Sequence, residues 1–166
     1  MSAQLARQRF IDTFRVVDRE RRHLEYSCEK LFSGNLTPDQ LTRLDDHPEL
    51  AETIEAFASR FGRMQDTMAG KLFPRFLQAQ AEPTGTQLET LNRLEKLGLL
   101  DDVEQWLEAR ALRNRLVHEY VENMDQFKHD LELARDYTKM LTKTHQKIGD
   151  YARRTLNIPS WEPESP

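Results

Sequence analysis

Apolar residues recur every three to four positions through most of this chain, the period of a single helical face. Phe10, Phe14, Val17, Leu24, Cys28 and Leu31 form the first such stripe, interrupted only at Arg21, and predict one long helix over residues 3–32. Ser33-Gly34-Asn35 ends it with turn chemistry. Thr37-Pro38-Asp39-Gln40 then reads as a capping box with proline at the first helical position. The helix it opens is short, because Asp45-Asp46-His47-Pro48 restarts the chain. Leu50, Ile54, Phe57, Phe61, Met64, Met68, Leu72 and Leu77 make a second long stripe over residues 48–80. Pro74 sits inside it and predicts a kink or break near Phe73.

Residues 81–86 read as a short polar loop. Leu88, Leu91, Leu94 and Leu97 predict a compact helix capped by Gly98. Asp101-Asp102-Val103-Glu104 starts the next, which carries Val103, Trp106, Leu107, Leu112 and Leu116. Phe127, Leu131, Ala134, Leu141 and Ile148 mark a last long helix. Three prolines among residues 157–166 predict a loose tail, with Trp161 as a residue able to dock. The expectation is an all-α fold: four or five antiparallel helices in one up-down bundle over residues 1–156.

Composition agrees with this pattern. Among 166 residues there are 22 Leu against 5 Val and 4 Ile, a bias toward residues that lose little rotamer freedom in a helix. The length suits one domain, and 31% charged residues suit amphipathic elements in water. No run approaches the roughly 18 apolar residues of a membrane span, and the first ten residues lack the apolar stretch of a secretory signal. Cys28 is the only cysteine, which excludes an intrachain disulfide and a thiolate metal site. A cytoplasmic protein is expected.

Most constellations that carry chemistry are missing. There is no glycine-rich phosphate loop and no His-Glu-x-x-His pair. Asp39, Asp45 and Asp46 gather around a helix cap, the ordinary use of aspartate. His23, His47, His129 and His145 are scattered and read as surface or core residues. One segment differs: Arg110-Ala111-Leu112-Arg113-Asn114-Arg115-Leu116-Val117-His118-Glu119-Tyr120. On a helix Asn114 and His118 share a face, about 40° apart, while Arg113 stands about 140° from His118. Arg113 and His118 therefore converge best when a second copy of the helix meets the first across a two-fold axis. On helix geometry alone, a basic amphipathic helix whose arginines pair with Glu104 and Glu108 is the simpler reading.

Arg113-Asn114-x-x-x-His118-x-Tyr120 resembles the Arg-x4-His-x-Tyr signature of HEPN-domain proteins, and more narrowly the HEPN toxins paired with minimal nucleotidyltransferase antitoxins. With 17 Arg, 5 His and 4 Tyr, Arg-x4-His alone would arise in roughly every second shuffle, and the form with tyrosine in roughly one per hundred. Ser59-Arg60-Phe61-Gly62-Arg63-Met64-Gln65-Asp66 and Leu91-Asn92-Arg93-Leu94-Glu95-Lys96-Leu97-Gly98 resemble members of this group too. The likeness covers residues 50–121 and extends to the flanks only in helix pattern.

The resemblance implies a helical bundle that dimerises through its motif helices to form a metal-independent endoribonuclease, with a small RNA such as tRNA as substrate. His118 would take the proton of the attacking 2′-hydroxyl, Arg113 would stabilise the phosphorane oxygens, and Asn114 would orient the histidine or the phosphate. Tyr120 would accept AMP from the cognate nucleotidyltransferase, which alone uses ATP; the chain itself needs no cofactor and no metal. A net charge of −4 gives no overall attraction to RNA, so Arg93, Lys96, Arg110, Arg113 and Arg115 are expected to gather around the cleft. The alternatives are a non-catalytic HEPN module serving as the substrate-binding partner of a nucleotidyltransferase, and a plain helical adaptor.

Overall fold

The computed structural model describes residues 1–118, the side chains of Val117 and His118 excepted, and residues 123–161. All regular structure among them is helical. Helix α1 spans Ala3–Phe32, α2 Pro38–Thr42, α3 Pro48–Thr67, α4 Phe73–Ala79, α5 Gln87–Lys96, α6 Val103–His118 and α7 Met124–Thr155.

Local chemistry explains the ends. Thr37 and Gln40 close the expected capping box on α2, and Thr86 with Glu89 closes a second one on α5. Gly98 takes a φ of +76°, the left-handed conformation that glycine adopts without penalty. Its N–H bonds the Glu95 carbonyl and that of Leu99 bonds Leu94, so the last turn of α5 is satisfied. Pro74 does not break the chain. Met68–Leu72 widens into a π turn and α4 continues from Phe73. Proline has no N–H to give the carbonyl four residues back, and the wider turn accommodates that loss.

Contacts divide the chain into two compact units. Unit 1 comprises residues 1–19, 66–103 and 142–166; unit 2 comprises residues 20–65 and 104–141. In unit 1 the core is aromatic. Phe14 lies stacked against His145 at 4.0 Å and against Trp161 at 3.8 Å between ring centroids, and Phe10 meets the edges of Phe76 and Trp161. Gly149 makes this possible, since a Cβ there would sit 2.5 Å from the Phe14 ring. The Trp161 indole N–H donates to the Gly149 carbonyl, and Ile158 is buried. Instead of running loose from residue 157, the chain is therefore held as far as Trp161.

In unit 2 Phe57, Phe61 and Met64 of α3 are buried together with Trp106, Leu112 and Leu116 of α6 and Leu131 and Ala134 of α7. Leu107 and Leu88 were expected on apolar stripes, yet they are 42% and 53% exposed. Leu107 lies on the face of α6 turned away from Trp106 and Leu112, and Leu88 occupies the first turn of α5.

Candidate functional site

Arg113, Asn114 and His118 of the signature fall on α6, in unit 2. Trp106, Ala109, Leu112 and Leu116, at three- and four-residue intervals, form its buried face. Leu107, Arg110, Ala111 and Asn114 are exposed, and Arg113 and Arg115 are half-buried at the borders. His118 is the final residue of α6 and follows Leu107, Ala111 and Asn114 in the same register. Tyr120 lies outside the described residues.

Arg113 rests on α3. Its Nε lies only 2.7 Å from where a Cβ on Gly62 would sit, with its Cγ and Cδ at 3.2 and 3.3 Å. Glycine in a helix interior is unfavourable by roughly 1 kcal/mol relative to alanine, and here it lets the arginine lie flat against the α3 backbone. Three residues further along α3, the buried Gln65 donates its side-chain N–H to the Ala109 carbonyl at 3.2 Å. The contact pairs 62–113 and 65–109 step in opposite senses, so this face of α3 runs antiparallel to α6. Two of the segments that carry the family resemblance are thereby packed on each other. A cavity of about 420 Å³ opens beside them, with Gly62, Ser59 and Glu55 of α3 on one side and Arg113 and Leu116 of α6 on the other.

Arg115 is engaged elsewhere. Its Nε and a terminal nitrogen approach the two carboxylate oxygens of Asp130 at 3.4 and 3.3 Å. Asp130 is only 2% exposed and also accepts from the Gln126 amide at 3.0 Å. A buried carboxylate needs such partners, so Arg115 ties α6 to α7. Glu108 accepts the Tyr137 hydroxyl proton at 2.6 Å, a second tie between the same helices. Arg93 and Lys96 are exposed on α5 and belong to unit 1, where Arg93 pairs with Glu82 at 2.6 Å.

The remaining candidates for chemistry have structural surroundings. His145 is buried against Phe14, while His23, His47 and His129 are exposed. Burial pushes the Cys28 thiol above its ordinary value, and Arg135 and Lys139 only partly oppose that, so it stays protonated and poorly nucleophilic near neutrality. Among the described residues no group of three His, Cys, Asp or Glu side chains is placed to hold a metal ion, and no described helix is long and apolar enough to cross a membrane.

Two features of this site stand outside the signature. Gly62 lies within residues 59–66, and a glycine among helix formers signals close approach of another group. Asp130 carried no such signal, because its partner stands fifteen residues away on another helix. No protein-family model, curated protein or solved structure matches this chain.

Proposed function

We propose that the chain is a metal-independent endoribonuclease toxin of the HEPN type, held in check by a nucleotidyltransferase antitoxin that transfers AMP to Tyr120. The observation that carries this reading is the Arg113-Asn114-x-x-x-His118-x-Tyr120 signature, with Arg113, Asn114 and His118 on α6. Arg113 is seated over Gly62 beside an open cavity, and Asn114 is exposed one turn before His118. The exposed Leu107, Ala111 and Asn114 form a seam of modest side chains running toward His118, suited to meeting a second copy of α6 across a two-fold axis.

The chemistry follows from the residue types. His118 accepts the 2′-hydroxyl proton as that oxygen attacks phosphorus, the general-base role open to an imidazole. Arg113 clasps the phosphoryl oxygens as negative charge develops on them, its planar fork matching their geometry. The 5′-oxygen departs and is protonated, leaving a 2′,3′-cyclic phosphate and a 5′-hydroxyl. AMP on Tyr120, two residues beyond His118, adds bulk and negative charge where an RNA phosphate must enter. A protein of this kind works in the cytoplasm, beside tRNA and its antitoxin.

Expression should arrest growth, and His118→Ala and Arg113→Ala should each relieve the arrest with helical circular dichroism intact. Co-expression with a cognate nucleotidyltransferase should add mass in AMP units to wild type and none to Tyr120→Phe, which should stay toxic. AMP on the Phe variant overturns the regulatory role of Tyr120. Full toxicity of either alanine variant overturns the assigned catalysis. Absence of arrest with a stable nucleotidyltransferase complex would favour the non-catalytic partner.

A further inference from the structure

The cavity between α3 and α6 holds more chemistry than the cleavage step uses. Its volume of about 420 Å³ falls within the range of small-ligand sites. Ile54 and Leu116 give it aliphatic walls, and Ala58 and Gly62 keep its floor low. Polar groups stand at its ends. Arg113 lies over Gly62, while Glu55, two turns earlier on α3, lines the cavity and is exposed. Neither Glu55 nor Ser59 between them has a hydrogen-bond or ion-pair partner among the described residues. At 1.5 Å per residue, Glu55 and Gly62 are about 10 Å apart along the helix.

An apolar slot with a carboxylate at one end and a guanidinium at the other matches a nucleotide, with its base between aliphatic walls and its phosphate at the arginine. We infer that this groove holds the nucleotide on the 5′ side of the cleaved bond, and that Glu55 selects guanine there. This inference rests on the ribonuclease reading for the placement of the phosphate.

Guanine is singled out by the carboxylate, which only accepts hydrogen bonds and has two oxygens to do it with. The guanine edge offers N1–H and an N2 amino hydrogen side by side, one for each oxygen. Adenine and cytosine put a ring-nitrogen acceptor beside their amino group, and uracil flanks its single N–H with carbonyl oxygens. Each of these would set a lone pair against the carboxylate.

The test is a calorimetric titration of the purified full chain with 3′-GMP, 3′-AMP, 3′-CMP and 3′-UMP, together with sequencing of fragment ends from a tRNA pool. A good bidentate pair predicts that 3′-GMP binds at least about tenfold more tightly than the others. Glu55→Gln should erase that margin with circular dichroism unchanged, and fragments should end in guanosine 2′,3′-cyclic phosphate. Equal affinities, or a margin that survives Glu55→Gln, would overturn the inference. A GMP preference without any RNA cleavage would uphold the pocket and sink the ribonuclease reading. Cleavage with mixed 3′ ends and no GMP preference would do the reverse.

Discussion

At the scale of single residues, the contact between Gly62 and Arg113 separates function from stability. Alanine at position 62 suits a helix better than glycine by roughly 1 kcal/mol, but its Cβ would occupy the space of the Arg113 Nε. The displaced group is the far part of a flexible side chain, so it can move at small cost. Gly62→Ala should therefore keep or raise the melting temperature while cutting RNA cleavage by about a hundredfold, the typical cost of misplacing a catalytic group by about 1 Å. In an Arg113→Ala background the same change should have no further effect on cleavage, because its action passes through the arginine. An additive loss in the double variant would contradict that. Asp101 gives a pH-dependent counterpart in unit 1. Hydrogen bonds from Lys147 and then Lys143, at 2.6 and 2.9 Å, hold its carboxyl below the ordinary value. A carboxylate with a depressed folded pKa stabilises above its unfolded value, about 3.9, and that contribution is lost as pH falls through the folded value. Asp101→Asn should thus lower stability at pH 7 by less than about 1 kcal/mol, since the pair is solvent-exposed. Thermal melts of the two proteins should converge as the pH drops below about 4.

The helices themselves were legible wherever periodicity and caps agree. The stripe from Phe10 to Leu31 and the turn at Ser33-Gly34-Asn35 predict residues 3–32, which is α1. Thr37 and Gly98 likewise mark ends that the structure keeps. Pattern reading loses its hold where the deciding partner is distant in sequence. Nothing local says that Phe14 will stack on Trp161, 147 residues later, or that Gly149 will make room for both. Nor does local pattern divide the chain into two units, because each gathers segments far apart in the sequence. In the candidate site, the arginines, Asn114 and the histidine position were readable from α6 alone, whereas the floor under Arg113 and the anchor of Arg115 come from α3 and α7. The C-terminal segment tests the packing account directly. Removing residues 158–166 deletes the buried Ile158 and the stacked Trp161. Loss of a large buried side chain typically costs about 2–5 kcal/mol, so denaturant midpoints should fall. An unchanged midpoint would mean that the tail adds nothing to unit 1.

For the whole molecule, the difficulty is an acidic protein proposed to cut a polyanion. With a net charge of −4, long-range attraction to RNA is weak. Of the five cations expected around the cleft, Arg115 is spent on Asp130, and Arg93 and Lys96 belong to unit 1. On the proposed reading, recognition rests on few phosphate contacts, among them that of Arg113, and on a second copy that doubles them. Light scattering at micromolar concentration should accordingly give the mass of a dimer, about twice 19.6 kDa; a monomer would leave Arg113 and His118 on separate faces of a single helix. The most direct test of the central claim is the end chemistry of a tRNA pool incubated with the purified protein in excess chelator. The account predicts fragments bearing 2′,3′-cyclic phosphates and 5′-hydroxyls, formed about 10²–10⁴ times more slowly by His118→Ala. Intact tRNA, metal-dependent cleavage, or equal cleavage by His118→Ala would contradict it.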